Sequence, residues 1–170
     1  MTDQNITGEW HLVASTSIQP ESHLEFLKDG PDHNGISNWL NGFDDKLIEE
    51  AQETSGLVLC IKQDGSFTEE VTGNPNVYWF NDEGCLVDVA PFNGVLVETE
   101  QGCYLKPTNI NEWAIPIEEA YGACVLRYDD GDTKITDHLR RVGEYLVRTV
   151  NVVTDEAYLD RVLIKYKRDS

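Results

Sequence analysis

Three arginines interrupt apolar, strand-like runs in the second half of the chain: Arg127 in "CVLRYDD", Arg148 in "YLVRTVN" and Arg161 in "LDRVLIK". A guanidinium carries five donors in a planar fork that suits carboxylates and other anions. Each of these arginines either points outward and pairs with one of the many acids, or points inward as an anion clamp. Because a buried charge is costly without a partner, an inward Arg161 would require an anion, and that anion could be a ligand.

Aromatic side chains give a second set of candidates. Tyr78, Trp79 and Phe80 are consecutive in "NVYWFND", so at least one of them faces the interior in any strand register. Tyr78 and Phe80 are candidates for lining a ligand site, and packing in the core is the other role open to them.

The last apolar run, "RVLIKYK", presents two faces. Val162, Ile164 and Tyr166 share one face, and Arg161 lies on the other with Leu163. Side chains alternate along a strand, so this parity predicts that Tyr166 points inward and Arg161 outward.

Catalytic and metal-binding patterns are missing from the sequence. It has no GxSxG, HExxH or P-loop motif, so no catalytic residue is predicted. The cysteines stand singly and the histidines lack ligand spacing, so we expect no metal and no cofactor. Adjacent acids such as Glu69 and Glu70 are interpreted as solvated charge.

Composition limits the partners. The chain has 170 residues and a formal net charge of -18, which disfavours nucleic acid and leaves a basic protein partner as a possibility. The start of the chain lacks the pattern of a signal peptide. No apolar run approaches the roughly 18 residues of a membrane span, so we expect a cytoplasmic protein without membrane insertion.

The elements that would position these residues are mostly strands. "GEWHLVASTS" alternates like a half-buried strand. The segment of about residues 20–55 has the start and stop signals of two short helices. After Gly56 the pattern has period 2, with hairpin signals such as Asp64-Gly65. These patterns predict an antiparallel all-β fold that removes its edges by closing into a barrel, with a sandwich as the alternative.

The two ends of the chain carry a family resemblance. Gly8-Glu9-Trp10 is similar to the G-x-W opening of the calycin superfamily, which includes lipocalins and intracellular fatty-acid-binding proteins. Residues 125–168 resemble the last four strands of a fatty-acid-binding protein. The resemblance implies one domain over residues 1–170, an up-and-down β-barrel of about 8–10 strands with a helical insertion after the first strand.

The resemblance also assigns roles to residues. It implies that Trp10 closes the barrel floor beneath a basic side chain of the last strand, supplied by Lys165, Lys167 or Arg168. It would place Arg161 inside, against the parity of the strand. Leu163 stands where the family has a carboxylate-binding tyrosine, so a fatty-acid site is not carried over intact.

Together these features predict binding of a small hydrophobic or amphipathic ligand inside the barrel. The alternatives are a barrel enzyme, such as a chromophore or isoprenoid lyase or isomerase, and a ligand-free acidic interaction protein. The candidate ligand-binding residues are Tyr78, Phe80, Arg127, Arg148, Arg161 and Tyr166.

Overall fold

A computed structural model gives the fold. It describes residues 6–18, 38–43, 46–73, 78–80, 86–88, 93–99, 102–107, 114–116, 125–128, 133–154 and 158–168. The described residues contain a helical turn at 38–40, the helix α1 (Lys46–Glu50) and thirteen strands. The strands are β1 (Gly8–Ile18), β2 (Gln52–Glu53), β3 (Leu57–Ile61), β4 (Ser66–Val71), β5 (Tyr78–Phe80), β6 (Leu86–Asp88), β7 (Asn93–Thr99), β8 (Gly102–Pro107), β9 (Ala114–Pro116), β10 (Val125–Tyr128), β11 (Thr133–Val142), β12 (Tyr145–Thr154) and β13 (Tyr158–Arg168).

Eight strands form a closed antiparallel ring in the order β12-β13-β1-β3-β4-β7-β8-β11, and β11 pairs again with β12. Within the described residues, β10 and β9 extend from β11, β2 pairs with β1, and β5 and β6 form a separate hairpin. Closure satisfies the backbone groups that an open sheet would leave at its edges. The predicted all-β barrel is therefore confirmed, and the sandwich alternative is wrong.

The turn between β3 and β4 follows from local sequence. Gly65 has φ of 86°, in the left-handed region where a side chain is disfavoured. The carboxylate of Asp64 accepts hydrogen bonds from the amide and the hydroxyl of Ser66, at 2.9 and 2.6 Å. These two contacts hold the predicted Asp-Gly hairpin.

The second predicted helix is shorter than its sequence pattern indicated. It ends at Glu50, and Gln52 and Glu53 then pair with β1 opposite Ser15 and Ala14. The reason is that β3 pairs with β1 only over residues 8–11, so the edge of β1 beyond them is open to β2. The first predicted helix lies outside the described residues. No helix in the described part of the chain is long and apolar enough to cross a bilayer.

The barrel interior is packed by alternate residues of the strands. Trp10 and Leu12 of β1 meet Val162, Ile164 and Tyr166 of β13 in one apolar core. The inward direction that parity predicted for the last strand is therefore confirmed.

The outer wall over β12 and β13 is also covered. Val147 and Leu163 point away from the core and pack against Ile48 and Ala51. Residues 38–43 and α1, which we call the covering segment, thus bury part of the outer face of the barrel.

Candidate functional site

Four polar side chains meet on the inner faces of four strands, and we call them the interior cluster: Glu69 of β4, Asp137 of β11, Arg148 of β12 and Tyr166 of β13. Arg148 and Tyr166 are fully buried, and both acids are at most 7% exposed. The apolar core surrounds them, so pairing among the four side chains offsets part of the cost of burying their charges.

Asp137 and Arg148 form a two-pronged ion pair. Nε of Arg148 donates to Oδ1 of Asp137 at 2.8 Å, and Nη2 donates to Oδ2 at 2.6 Å. Asp137 lies opposite Val150 in the register of β11 and β12, so the pair is a diagonal contact between neighbouring strands. Its planar fork fixes the guanidinium in one orientation.

The third prong of Arg148 crosses the barrel. Nη1 donates to Oε1 of Glu69, and β4 stands four strands from β12 in either direction around the ring. The hydroxyl of Tyr166 lies 3.5 Å from the same Glu69 oxygen, at the limit of a hydrogen bond. The cluster therefore links opposite walls of the barrel through its interior.

The electrostatics of the cluster reflect burial and pairing. Burial lowers the pKa of Arg148, but the charges of Asp137 and Glu69 outweigh it and hold that pKa well above its usual value. Burial raises the pKa of Asp137, and the charge of Arg148 opposes that rise. Burial likewise raises the pKa of Tyr166, so its hydroxyl keeps its proton.

The cluster retains hydrogen-bonding capacity. The hydrogen bonds to Asp137 and Glu69 engage three of the five N–H groups of Arg148. They engage two of the roughly four acceptor positions of the Asp137 carboxylate, again counting described partners. The Asp137 carboxylate therefore has acceptor positions that Arg148 does not use.

The inner face of β11 shows how the interior is arranged along the barrel. Thr133, Asp137 and Arg141 share that face because they are four residues apart. Arg141 lies over the Trp10 ring at one end, 5.1 Å from its centroid, and Thr133 lies at the other end. The Thr133 hydroxyl is buried and has no hydrogen-bond partner among the described residues.

Trp10 is fully buried beneath the end of the last strand. The guanidinium of Arg168 lies 4.5 Å from the centroid of the Trp10 ring, and Nε1 of Trp10 donates to the carbonyl of Ile6 at 2.8 Å. Arg168 also donates to the carbonyl of Thr7 at 3.0 Å, which fixes the first strand to the last. Of the three basic residues proposed for this contact, the structure places Arg168 over Trp10.

Arg161 lies outside the barrel wall, on the face opposite the interior cluster. Its Nε donates to Oδ1 of Asn151 at 2.5 Å, and its Nη2 donates to the carbonyl of Trp39 at 3.0 Å. Its guanidinium also stacks on the Trp39 ring, 3.9 Å from the centroid. Arg161 therefore holds the covering segment, as the parity of β13 predicted.

A second buried polar group anchors the same segment. Nε2 of His138 lies 2.7 Å from the carbonyl oxygen of Leu40, which also accepts from Thr136 at 2.5 Å and from Asn151 at 3.1 Å. Since a carbonyl only accepts, Nε2 of His138 carries the hydrogen. Burial lowers the pKa of His138 to about 4, and the charges of Arg161 and Arg140 add to this effect.

The sequence interpretation missed two members of the cluster. Glu69 was assigned to solvated charge, but only its neighbour Glu70 is exposed. The signal was the alternation in "SFTEEV", where Phe67 faces the core and Glu69 follows two residues later. Asp137 carries the same signal, since Leu139 shares its face.

The described part of the structure does not show the remaining predicted site residues, Tyr78, Phe80 and Arg127, coming together. Tyr78 and Phe80 lie on β5, and Arg127 lies on β10 opposite Lys134 of β11. Their side chains lie outside the described part of the structure, so their roles stay predictions.

No protein-family model and no curated protein sequence matches this chain. Among solved structures, it is similar to the siderocalin Ex-FABP, which is described as functioning through dual ligand specificities. The identity is 11%, the match covers 98% of this chain and 75% of the other, and the TM-score is 0.31. Because that TM-score is low, the fold rests on the strand pairing of this chain, whose closed eight-stranded ring fits the calycin architecture.

Proposed function

We propose that this protein binds a small amphipathic molecule inside the barrel, with the polar end of the molecule at the interior cluster and its apolar body along the neighbouring strands. The interior cluster is the observation that carries the proposal. Ligand sites in proteins are mostly apolar with a few convergent polar groups, and the inner wall of this barrel has that composition.

The arrangement along β11 supports a position for the ligand. Trp10 with Arg141 and Arg168 occupies one end of the interior, so the proposal places the ligand on the other side of the cluster. Ile135 lies there opposite Val152, and Ile135 is only partly buried. Thr133 lies beyond them with its unpartnered hydroxyl, counting partners in the described chain.

Binding of an uncharged fluorescent dye tests the proposal. Nile red brightens in apolar surroundings, and we expect saturable binding by the purified protein, together with a retained small molecule in native mass spectrometry. Val152→Phe adds volume to the proposed site and should weaken Nile red binding, whereas Val95→Phe, at a position 41% exposed, should not. No saturable dye binding and no retained molecule would contradict the proposal.

A barrel enzyme is the second candidate function, and the buried acid favours it. Burial raises the pKa of Asp137 against the opposing charge of Arg148, and a raised pKa is one requirement for a carboxyl group that transfers a proton. Incubation with an unsaturated isoprenoid in heavy water tests this idea. An isomerase that protonates a double bond would incorporate deuterium into the recovered isoprenoid, and Asp137→Asn would abolish that incorporation.

A further inference from the structure

We propose that the polar end of the ligand is a protonated amine rather than a carboxylate, and that it binds to Asp137. This inference rests on the proposed function, because it names the head group of the molecule that the barrel would hold.

The carboxylate alternative conflicts with how Arg148 is used. An arginine fork binds a ligand carboxylate through two parallel hydrogen bonds, and Asp137 already occupies that edge of Arg148 through Nε and Nη2. The third donor in use, on Nη1, is engaged by Glu69. A fatty-acid head group that kept both acids in place would find only the remaining N–H groups on Nη1 and Nη2, next to two carboxylates that are already bound.

Charge points in the same direction. The four side chains of the interior cluster include two carboxylates and one guanidinium, so with all three ionised these side chains by themselves carry one excess negative charge. A ligand carboxylate would add a further negative charge in apolar surroundings, where like charges repel strongly. An ammonium group would bring the cluster to neutrality.

Hydrogen bonding completes the match. An ammonium group has three donors and no acceptor, and the Asp137 carboxylate keeps acceptor positions after binding Arg148. A neutral alcohol could use the same positions, but it would leave the excess charge in place. The cluster therefore favours the amine over both the alcohol and the acid.

A second polar atom limits the other end of the ligand. Thr133 lies four residues from Asp137 along the same face of β11, which is about 13 Å in an extended strand. Its buried hydroxyl, unpartnered among the described residues, is a contact for a polar atom at that distance. An apolar body carrying the amine would lie between them along Ile135 and Val152.

Competition among three head groups on one chain length tests the inference. Dodecylamine, dodecanol and dodecanoate are used to displace Nile red at neutral pH. We expect dodecylamine to displace the dye at a concentration about tenfold lower than dodecanoate, the factor expected for one hydrogen bond to a charged group. The titration is run at physiological salt, because the net charge of -18 attracts any amine to the surface.

Paired variants separate the interior from the surface. Asp137→Asn and Glu70→Gln each remove one acid, but Glu70 is exposed on the outer side of β4. We expect Asp137→Asn to lose the preference for dodecylamine and Glu70→Gln to keep it. If circular dichroism shows that Asp137→Asn does not fold, Glu69→Gln takes its place, since it also removes the excess charge.

The outcomes distinguish the two proposals. If the wild-type protein does not bind Nile red, the proposed function itself fails. If the dye binds but dodecanoate displaces it as well as dodecylamine, the function stands and the head-group inference is overturned. An equal loss of preference in Glu70→Gln would also overturn it, because the preference would then arise from surface charge.

Discussion

Arg148 and Asp137 meet edge to edge inside the barrel, with Nε 2.8 Å from Oδ1 and Nη2 2.6 Å from Oδ2. The two residues come from neighbouring strands, and the same guanidinium reaches across the interior to Glu69. Its loss would leave two acids buried in an apolar core. The ion pair is therefore both a structural requirement and the polar centre of the proposed site.

Arg148→Met should destabilise the protein by about 3–5 kcal/mol, because it leaves the carboxylates of Asp137 and Glu69 without their buried cation. Urea unfolding followed by circular dichroism measures this change. Adding Asp137→Asn and Glu69→Gln to Arg148→Met should restore part of the stability, since the uncompensated charges are then gone.

Lys167→Met is the matched control for that prediction. The ammonium of Lys167 lies 3.7 Å from Glu144, and both side chains are more than half exposed, at 51% and 62%. Its loss should cost at most about 1 kcal/mol. Equal effects of the two substitutions would show that the interior ion pair contributes no more than a surface pair.

Gly42→Ala should loosen the segment that covers the outer wall. A Cβ at this position would lie 2.8 Å from Nη2 of Arg161 and 2.9 Å from the carbonyl oxygen of Asn38. Arg161 is held by Asn151 and Trp39, so we expect a cost of about 1–3 kcal/mol in the free energy of unfolding.

Gly65→Ala is the control for Gly42→Ala, because it strains the backbone without crowding a neighbouring atom. Gly65 has a positive φ of 86°, but a Cβ there would meet nothing within 4 Å. We expect Gly42→Ala to raise the pKa of His138 toward its ordinary value, because it would open the segment that covers the imidazole. Gly65→Ala should leave that pKa unchanged. Titration of the His138 ring protons by NMR gives this readout, and an unchanged pKa in Gly42→Ala would contradict the proposed cover.

Acid should destabilise the fold through His138. Its pKa is lowered from 6.5 to about 4, so between these values the unfolded chain binds a proton that the folded protein does not. Stability therefore falls as the pH decreases through this range, by about 3 kcal/mol for this group. Between pH 7 and pH 4, we expect wild type to lose about 3 kcal/mol more than His138→Gln. Parallel pH dependences in urea unfolding would contradict this prediction.

Cys103 should resist alkylation in the folded protein. Burial, with the charges of Glu98 and Asp137, raises the pKa of its thiol from 9.0 to about 12, so little thiolate is present near neutral pH. Iodoacetamide followed by peptide mapping should modify Cys103 only after unfolding. Cys60 is partly exposed and should react earlier, and equal rates for the two would contradict the assignment of Cys103 to the core.

Several elements could be predicted because their determinants are local. Asp64 and Gly65 specify a hairpin through one side-chain cap and one left-handed residue, both encoded within the turn. The alternation of Val162, Ile164 and Tyr166 determined the inner face of the last strand, because period 2 is a property of the strand itself.

The interior cluster could be predicted only in part. Alternation with Phe67 and Leu139 places Glu69 and Asp137 on the inner faces of their strands, but an acid in a strand usually faces water. The partner that makes their burial possible is Arg148, which is 79 residues from Glu69 in the chain. No local pattern indicates that these two residues meet.

The sequence by itself determined the strand alternation, the hairpins and the direction in which Tyr166 and Arg161 point, because these follow from neighbours a few residues apart. Only the tertiary structure decided that β4 stands opposite β12, and hence that Glu69 and Arg148 pair across the interior. It also decided that Arg161 binds Asn151 and Trp39 beneath the covering segment. The physical reason is closure of the ring, which brings distant strands together and sets the surroundings of each buried charge.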